Sequence, residues 1–467
     1  MCGIIGVTGV PDAAHVAYLG LYSLQHRGQE SAGIVAVDGD GVARPHRGMG
    51  LVSDVFGEPV LNELPGDVAI GHARYSTAGT SVLANAQPML ARYRDGPLAL
   101  AHNGNLTNAV QLRTDLVAKG SIFQSSSDSE VLVHLIARSE AREPEDQLLD
   151  ALERVEGAFS LVITIGRTLY AIVDPRGFRP LVLGRLGRGW VVASETCALD
   201  ITGATLVREL APGEFLRIHD AEVDVLPPLP AQPHRRCVFE LVYFSRPDST
   251  VFHRSVDRVR RALGRELARE HPAAGSDCVF SVPDSSNAMA LGFSEESGIK
   301  LEHALIRNHY VGRTFIHPAQ AGRTAKVKIK FNPVREVLEG KRVVVVDDSI
   351  VRGTTSRALV QLIRQAGAKE VHFRVASPPI TGPCYYGIDT PTKGELIGSS
   401  HTVEEIREHL GVDTLGYLSL EGMLRAAGGN DPAEFCHACF SGDYPTPIPD
   451  DLVRARHAAP PQVAIAV

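Results

Sequence analysis

Hydrophobic residues fall in two different patterns along this chain. Over the first 225 or so positions they form short runs separated by turns, the signature of many short strands. Residues 98–101 (LALA) and 160–165 (SLVITI) are examples, and residues 3–7 (GIIGV) fit a buried first strand. Helical spacing appears in residues 13–25 and 129–138. Many strands and few helices predict sheets packed on each other with helices outside. Residues 226–233 (LPPLPAQP) carry four prolines and can continue neither a helix nor a central strand. They divide the chain into parts at 2–230 and 231–447, with an Ala/Pro-rich tail over 448–467 expected to be weakly ordered. After the division the period lengthens. Residues 256–270 read as a charged amphipathic helix, 278–282 and 342–346 as buried strands, 356–366 as a helix and 369–376 as another strand. Strand, helix, strand in that order is a βαβ unit, so a parallel sheet is expected.

Composition changes this picture little. The 467 residues are 44% hydrophobic and 22% charged, with a net charge of −7. That length predicts more than one hydrophobic core. The acidic balance disfavours nucleic acid or a membrane surface as the main partner. No apolar run reaches the roughly 18 residues needed to span a bilayer. No basic region precedes the first apolar stretch, so a cytoplasmic location is expected. Seven cysteines in such a chain point to buried thiols, a nucleophile or metal ligands rather than disulfides.

Cys2 follows Met1 directly. Removal of Met1 would put a thiol and a free α-amine on one residue, and an amine with an ordinary pKa of about 8 can serve that thiol as base. Three other segments supply what such a nucleophile needs. GHARYSTAG holds Arg74, able to grip a carboxylate with paired hydrogen bonds. AHNGN places the Asn103 amide beside the Gly104 N–H, a pair that can hold an oxyanion. SSSDSE puts the Asp128 carboxylate at a helix start, within reach of a ligand ammonium.

Together MCGIIGV, LQHRGQESAGI, GHARYSTAG, AHNGNLTN and SSDSE resemble the class II glutamine amidotransferases, in order over about 130 residues. The resemblance implies an αββα N-terminal-nucleophile sandwich of two antiparallel sheets. It implies that Cys2 attacks glutamine, that Asn103 and Gly104 form the oxyanion hole, that Arg74 and Asp128 hold the substrate, and that Arg27 and Gly28 line the same pocket.

In the second part, VVVVDDSIVRGTTS (residues 343–356) is a buried strand ending in Asp347 and Asp348, then a turn with Gly353 and two threonines that opens a helix. Backbone N–H groups and hydroxyls at a helix start cradle phosphate. Acids at the carboxyl end of a parallel strand hold ribose hydroxyls or Mg²⁺. With CVFELVYFSRPDS, VPDS, NHYVGRTFI and KFNPV, the run resembles the amidophosphoribosyltransferase family over nearly the whole chain. That resemblance implies a phosphoribosyltransferase-type sheet and phosphoribosyl pyrophosphate (PRPP) as a second substrate. It implies that Asp347 and Asp348 contact ribose and Mg²⁺ and that Ser285 is a further metal ligand. Ser349, Arg352, Gly353, Thr354 and Thr355 would bind the 5′-phosphate. A basic loop over residues 313–330, ending at Lys330, would close over pyrophosphate. Feedback inhibition by purine nucleotides and a homotetramer are implied in the same way. A pathway-specialised paralogue making phosphoribosylamine for a natural product is the second reading.

Cys436 and Cys439 form a C-x-x-C pair, and Cys237 and Cys384 lie far away in sequence. Four thiolates suit a 4Fe–4S cluster or tetrahedral zinc, and spacing alone does not choose. One branch of the resembled family carries a 4Fe–4S cluster on cysteines at these four places, which implies the cluster here.

Overall fold

The computed structural model describes residues 1–75, 81–220, 222–308, 329–428 and 432–457. The first part holds two antiparallel sheets. The larger runs, edge to edge, Thr205–Glu209, Val182–Leu186, Gly189–Ala193, Gly3–Thr8, Val68–Arg74, Ser31–Val37 and Ala43–Met49. The other runs Glu222–Val225, Phe215–His219, Thr168–Val173, Gly157–Ile165, Gly96–Leu106 and Met89–Tyr93. Their facing sides interdigitate through Ile4, Val35, Ile70, Ala101, Val162 and Leu216. The outer faces are covered by helices, Ala13–Ser23 and Thr196–Thr202 on one side, Ala109–Ala118 and Ser129–Arg138 on the other. Covering on both faces explains why the strand Gly3–Thr8 is buried at every position rather than at alternate ones. The αββα sandwich is therefore present.

The second part is built on a parallel sheet ordered Cys278–Ser281, Arg342–Asp347, Glu370–Val375, Thr414–Tyr417. Helices Thr354–Gln365 and Val403–Leu410 cover one face, and helices Val256–Glu270 and Asn287–Ser297 the other. The helix expected from residue 356 starts at Thr354, directly after Gly353, whose φ of 73° ends the preceding loop. The helix expected to reach residue 25 stops at Ser23, because Gln25–Arg27 tightens into a 3₁₀ turn. Two features have no counterpart in the sequence pattern. Glu240–Phe244 forms a π-helical turn. Leu305–Arg307 pairs with Phe331–Pro333, so the strands flanking the expected basic loop are tied together, while residues 313–328 of that loop lie outside the described residues. Beyond residue 447, Asp450–His457 is helical. Among the described residues no helix is long and apolar enough to cross a membrane.

Helices Val256–Glu270 and Asn287–Ser297 cross with their backbones in contact. A Cβ on Gly264 would sit 1.9 Å from Met289 O, and one on Gly292 would sit 2.0 Å from Arg261 O. Gly264→Ala should therefore destabilise the second part by about 1–3 kcal/mol or more, as forced overpacking does, seen as a lower midpoint in urea than for an alanine placed on the exposed face of the same helix.

Candidate active sites

The N-terminal centre lies where the first strand meets the strand Gly96–Leu106. The Cys2 N–H donates to Asn103 Oδ1 at 3.1 Å, and the Cys2 thiol donates to Tyr75 O at 3.5 Å. This leaves Asn103 Nδ2 buried with no hydrogen-bond partner among the described residues. A buried unpaired amide costs free energy unless a ligand takes it. Gly104 has φ 155°, and a Cβ there would be 1.9 Å from Ala158 O, so only glycine fits. Arg74 is buried and reaches Glu30 Oε2 at 3.4 Å. Asp128 stands at the N-cap of Ser129–Arg138 and accepts from Leu106 N at 2.9 Å, which ties it to the strand bearing Asn103. Ser76 to Gly79 of the arginine segment lie outside the described residues.

His102, on the strand Gly96–Leu106, meets Ser129 Oγ at 2.9 Å and Ala158 O at 3.2 Å. His72, opposite Ile4 of the first strand, contacts His102 O at 3.1 Å; burial pushes its pKa down to about 3, so it is neutral. Met1 is fully buried, its amine pushed down to about 6 by burial.

Arg27, expected beside Gly28 in the glutamine pocket, turns its side chain into the interior. It is fully buried and its guanidinium is engaged on every side. It pairs with Glu195 through Nε, with Glu240 at 2.7 Å, and donates to Ser245 Oγ at 3.2 Å. Arg179 pairs with Glu240 at 3.3 Å, and all four charged side chains have no exposed surface. Glu195 also takes His26 at 2.7 Å, Ser249 Oγ at 2.7 Å and Arg246 N at 2.9 Å. Burial acts against its charge, yet Arg27 and His26 hold its carboxyl below the usual range. The sequence reading missed Glu195, Arg179 and Glu240 as members of the site; only Glu240 fell within a quoted motif. Gly28 packs against the strand carrying Arg74, where a Cβ would be 2.3 Å from Ala73 O.

The second centre lies at the carboxyl end of Arg342–Asp347. Asp347 and Asp348 are both buried. Burial, then the charge of Asp348, pushes Asp347 well up; burial also raises Asp348, against the hydrogen bonds from Ser285 and Ser349. Ser285 Oγ donates to Asp348 Oδ2 at 2.5 Å, Ser349 Oγ to Asp348 Oδ1 at 2.6 Å, and Ser286 Oγ to Asp347 Oδ1 at 3.3 Å. Two crowded carboxylates and a hydroxyl are a hard-oxygen set that fits Mg²⁺ when substrate oxygens and water complete the shell. Thr354 and Thr355 open the helix after Gly353, and the Lys330 ammonium is within electrostatic reach of both acids. Arg352 instead turns outward to Glu395 at 3.1 Å.

The four cysteines converge although they come from three places in sequence. Cys237 and Cys436 are register partners in a two-residue parallel bridge. The Cys439 carbonyl accepts from Thr381 N and Gly382 N, beside the loop that reaches Cys384. Burial raises the Cys439 thiol, and Cys384, Cys237 and Cys436 raise it further. Among the described residues, no three His, Cys, Asp or Glu side chains are grouped closely enough to hold one metal ion.

A buried Cys2 beside the Asn103 amide in an αββα sandwich thus shares one chain with a parallel sheet whose second strand ends in two acids. Residues 72–200 match a family model described as a glutamine amidotransferase domain. Amidophosphoribosyltransferase 2, chloroplastic, of Arabidopsis thaliana is 53% identical over 97% of this chain and 81% of its own. The amidophosphoribosyltransferase of Bacillus subtilis (strain 168) is 50% identical over 97% of this chain and 95% of its own. The solved "allosteric regulatory enzyme of purine biosynthesis" superimposes with a TM-score of 0.93 at 49% identity, covering 98% of this chain and 99% of that one. The B. subtilis glutamine PRPP amidotransferase complexed with ADP and GMP does so with a TM-score of 0.91 at 49% identity, covering 96% and 98%. The chain belongs to the amidophosphoribosyltransferase family. None of these relatives favours the specialised-pathway reading.

The buried charge network gives a direct test. Glu240→Ala leaves two arginines short of their counter-ion, so stability measured by chemical denaturation should fall by about 3–5 kcal/mol.

Proposed function

We propose that Cys2, Asn103, Gly104, Arg74 and Asp128 form the glutaminase centre, and that residues 285 and 347–355 with Lys330 form the PRPP centre. The chain is an enzyme of purine biosynthesis: ammonia taken from glutamine replaces the pyrophosphate on C1 of PRPP, giving 5-phosphoribosylamine, glutamate and pyrophosphate. The glutamine carboxylate binds Arg74 and its ammonium binds Asp128. The Cys2 thiol gives its proton to the α-amine freed by loss of Met1, and the sulfur attacks the amide carbon. The carbonyl electrons move onto oxygen, which takes hydrogen bonds from Asn103 Nδ2 and Gly104 N. On collapse the α-ammonium returns its proton to the amide nitrogen, which leaves as ammonia, and the remaining thioester is cleaved by water to glutamate and the free thiol. The observation that carries this reading is the divided Asn103 amide, its oxygen on Cys2 N and its Nδ2 without a partner among the described residues.

At the second centre, ammonia attacks C1 as pyrophosphate departs. Asp347 and Asp348 hold the ribose hydroxyls, Ser349, Gly353, Thr354 and Thr355 hold the 5′-phosphate, and Lys330 faces the leaving diphosphate. Arg352 would have to leave Glu395 to join them. Mg²⁺, when bound by Asp347, Asp348 and Ser285, neutralises diphosphate charge. The basic loop over the diphosphate remains part of the reading, and its residues 313–328 lie outside those described. The division is glutaminase over 2–230, transferase over 231–447 and tail over 448–467.

For Cys237, Cys384, Cys436 and Cys439 we favour a 4Fe–4S cluster over zinc. The reading is supported by the resemblance to the branch that carries the cluster and by the approach of Cys237 to Cys436 across their shared bridge. Inhibition by purine nucleotides is supported by the relative complexed with ADP and GMP. A homotetramer rests on resemblance alone. A cytoplasmic location suits seven free cysteines.

Cys2→Ala should abolish glutamine-dependent synthesis and spare synthesis from ammonia, followed as pyrophosphate release. Asp347→Asn should cut that release by orders of magnitude with either nitrogen source while glutamine hydrolysis persists; equal loss of both activities would count against two centres. Anaerobically purified protein should be brown with about four irons per chain; one zinc per chain, or a colourless, iron-free but active preparation, would remove the cluster.

A further inference from the structure

We infer that residues 384–387, in the C-terminal half, are the positioning element of the oxyanion hole in the N-terminal half. Two contacts fix the strand that carries Asn103 and Gly104 against this segment. Asn105 Nδ2 donates to Tyr385 O at 2.9 Å. Gly387 lies directly on the Gly104 peptide: a Cβ built there would be 2.9 Å from both Gly104 C and Gly104 O. On its other side Gly104 meets Ala158 O, 1.9 Å from where its own Cβ would be. Gly104, which must aim its N–H at the substrate oxygen, is therefore held at its Cα and carbonyl between a strand of its own half and a loop of the other.

The segment is itself rigid. Tyr386 O accepts from Arg179 Nε at 3.2 Å and from its NH2 at 2.6 Å. The Tyr386 ring stacks on Phe178 with centroids 4.4 Å apart and planes 17° apart, and its hydroxyl meets Thr446 Oγ1 at 2.9 Å. Cys384 N donates to Thr390 Oγ1 at 2.7 Å, and Tyr386 N donates to Cys384 Sγ at 3.3 Å. Oxyanion stabilisation depends on donors preorganised to within a fraction of an ångström. Neither half contains everything that sets the Gly104 plane, so the glutaminase is complete only when the halves are docked.

This inference rests on the oxyanion role given to Asn103 and Gly104, and the test separates the two. Gly387→Ala and Asn105→Ala should each lower kcat for glutamine hydrolysis by about tenfold or more, since removal of a whole oxyanion donor costs 10²–10³. KM for glutamine should move less than about twofold, because uniform binding is untouched. Alkylation of Cys2 by iodoacetamide, which needs no oxyanion hole, and ammonia-dependent synthesis should be retained. If Gly387→Ala fails to fold, because its φ of 107° also disfavours alanine, Asn105→Ala reads the same contact. Unchanged kcat in the folded variants, or parallel loss of both syntheses, overturns the inference. If Asn103→Ala also leaves kcat unchanged, the oxyanion assignment itself is what fails.

Discussion

Four buried charges hold the two halves of this molecule in register. Arg27 and Glu195 come from the sandwich, Glu240 from the π-helical turn of the second half, and Arg179 from the loop beside the domain connection. A buried pair gains little net stability over an apolar one, yet it penalises any misplacement because a separated partner stays charged in a dry interior. That makes the network a specifier of docking geometry. It acts close to both chemistries. Arg27 lies on the turn packed against the first strand, and the π-helical turn carries Phe244, 6.5 Å from the ring of Tyr75, whose carbonyl receives the Cys2 thiol. The same turn carries Tyr243, raised to about 12 by burial and then by the charge of Asp348.

The turn itself depends on another buried arginine. Arg260 donates to Leu241 O at 3.1 Å and to Ser245 O at 2.8 Å, satisfying carbonyls that a π-helical turn leaves without the usual partners. Its charge also lies near Asp348 and acts against the rise in that carboxyl. One five-residue turn thus connects the surroundings of Cys2, the docking network and the Asp347–Asp348 pair.

Much of this was legible in the sequence, for a physical reason. Strand Arg342–Asp347 and helix Val256–Glu270 announce themselves because burial and amphipathicity follow local periods. Asn103, Asp128 and the Asp347–Asp348 pair were legible because chemistry needs those groups next to small or hydroxylic residues. What was not legible depends on distance. Arg27 meets Glu195 and Glu240 across 168 and 213 residues, and no local pattern announces partners so far away. Arg352 is a similar case: its loop position suits a phosphate, yet Glu395, 43 residues on, takes it in the structure. The π-helical turn has no periodic signature at all.

Met1 has no exposed surface and belongs to a core cluster with Phe178, Val238 and Tyr386, which come from both sides of the proline-rich connection. The packing around this side chain is therefore shared, and a substitution that left a void there would loosen both halves at once rather than one alone.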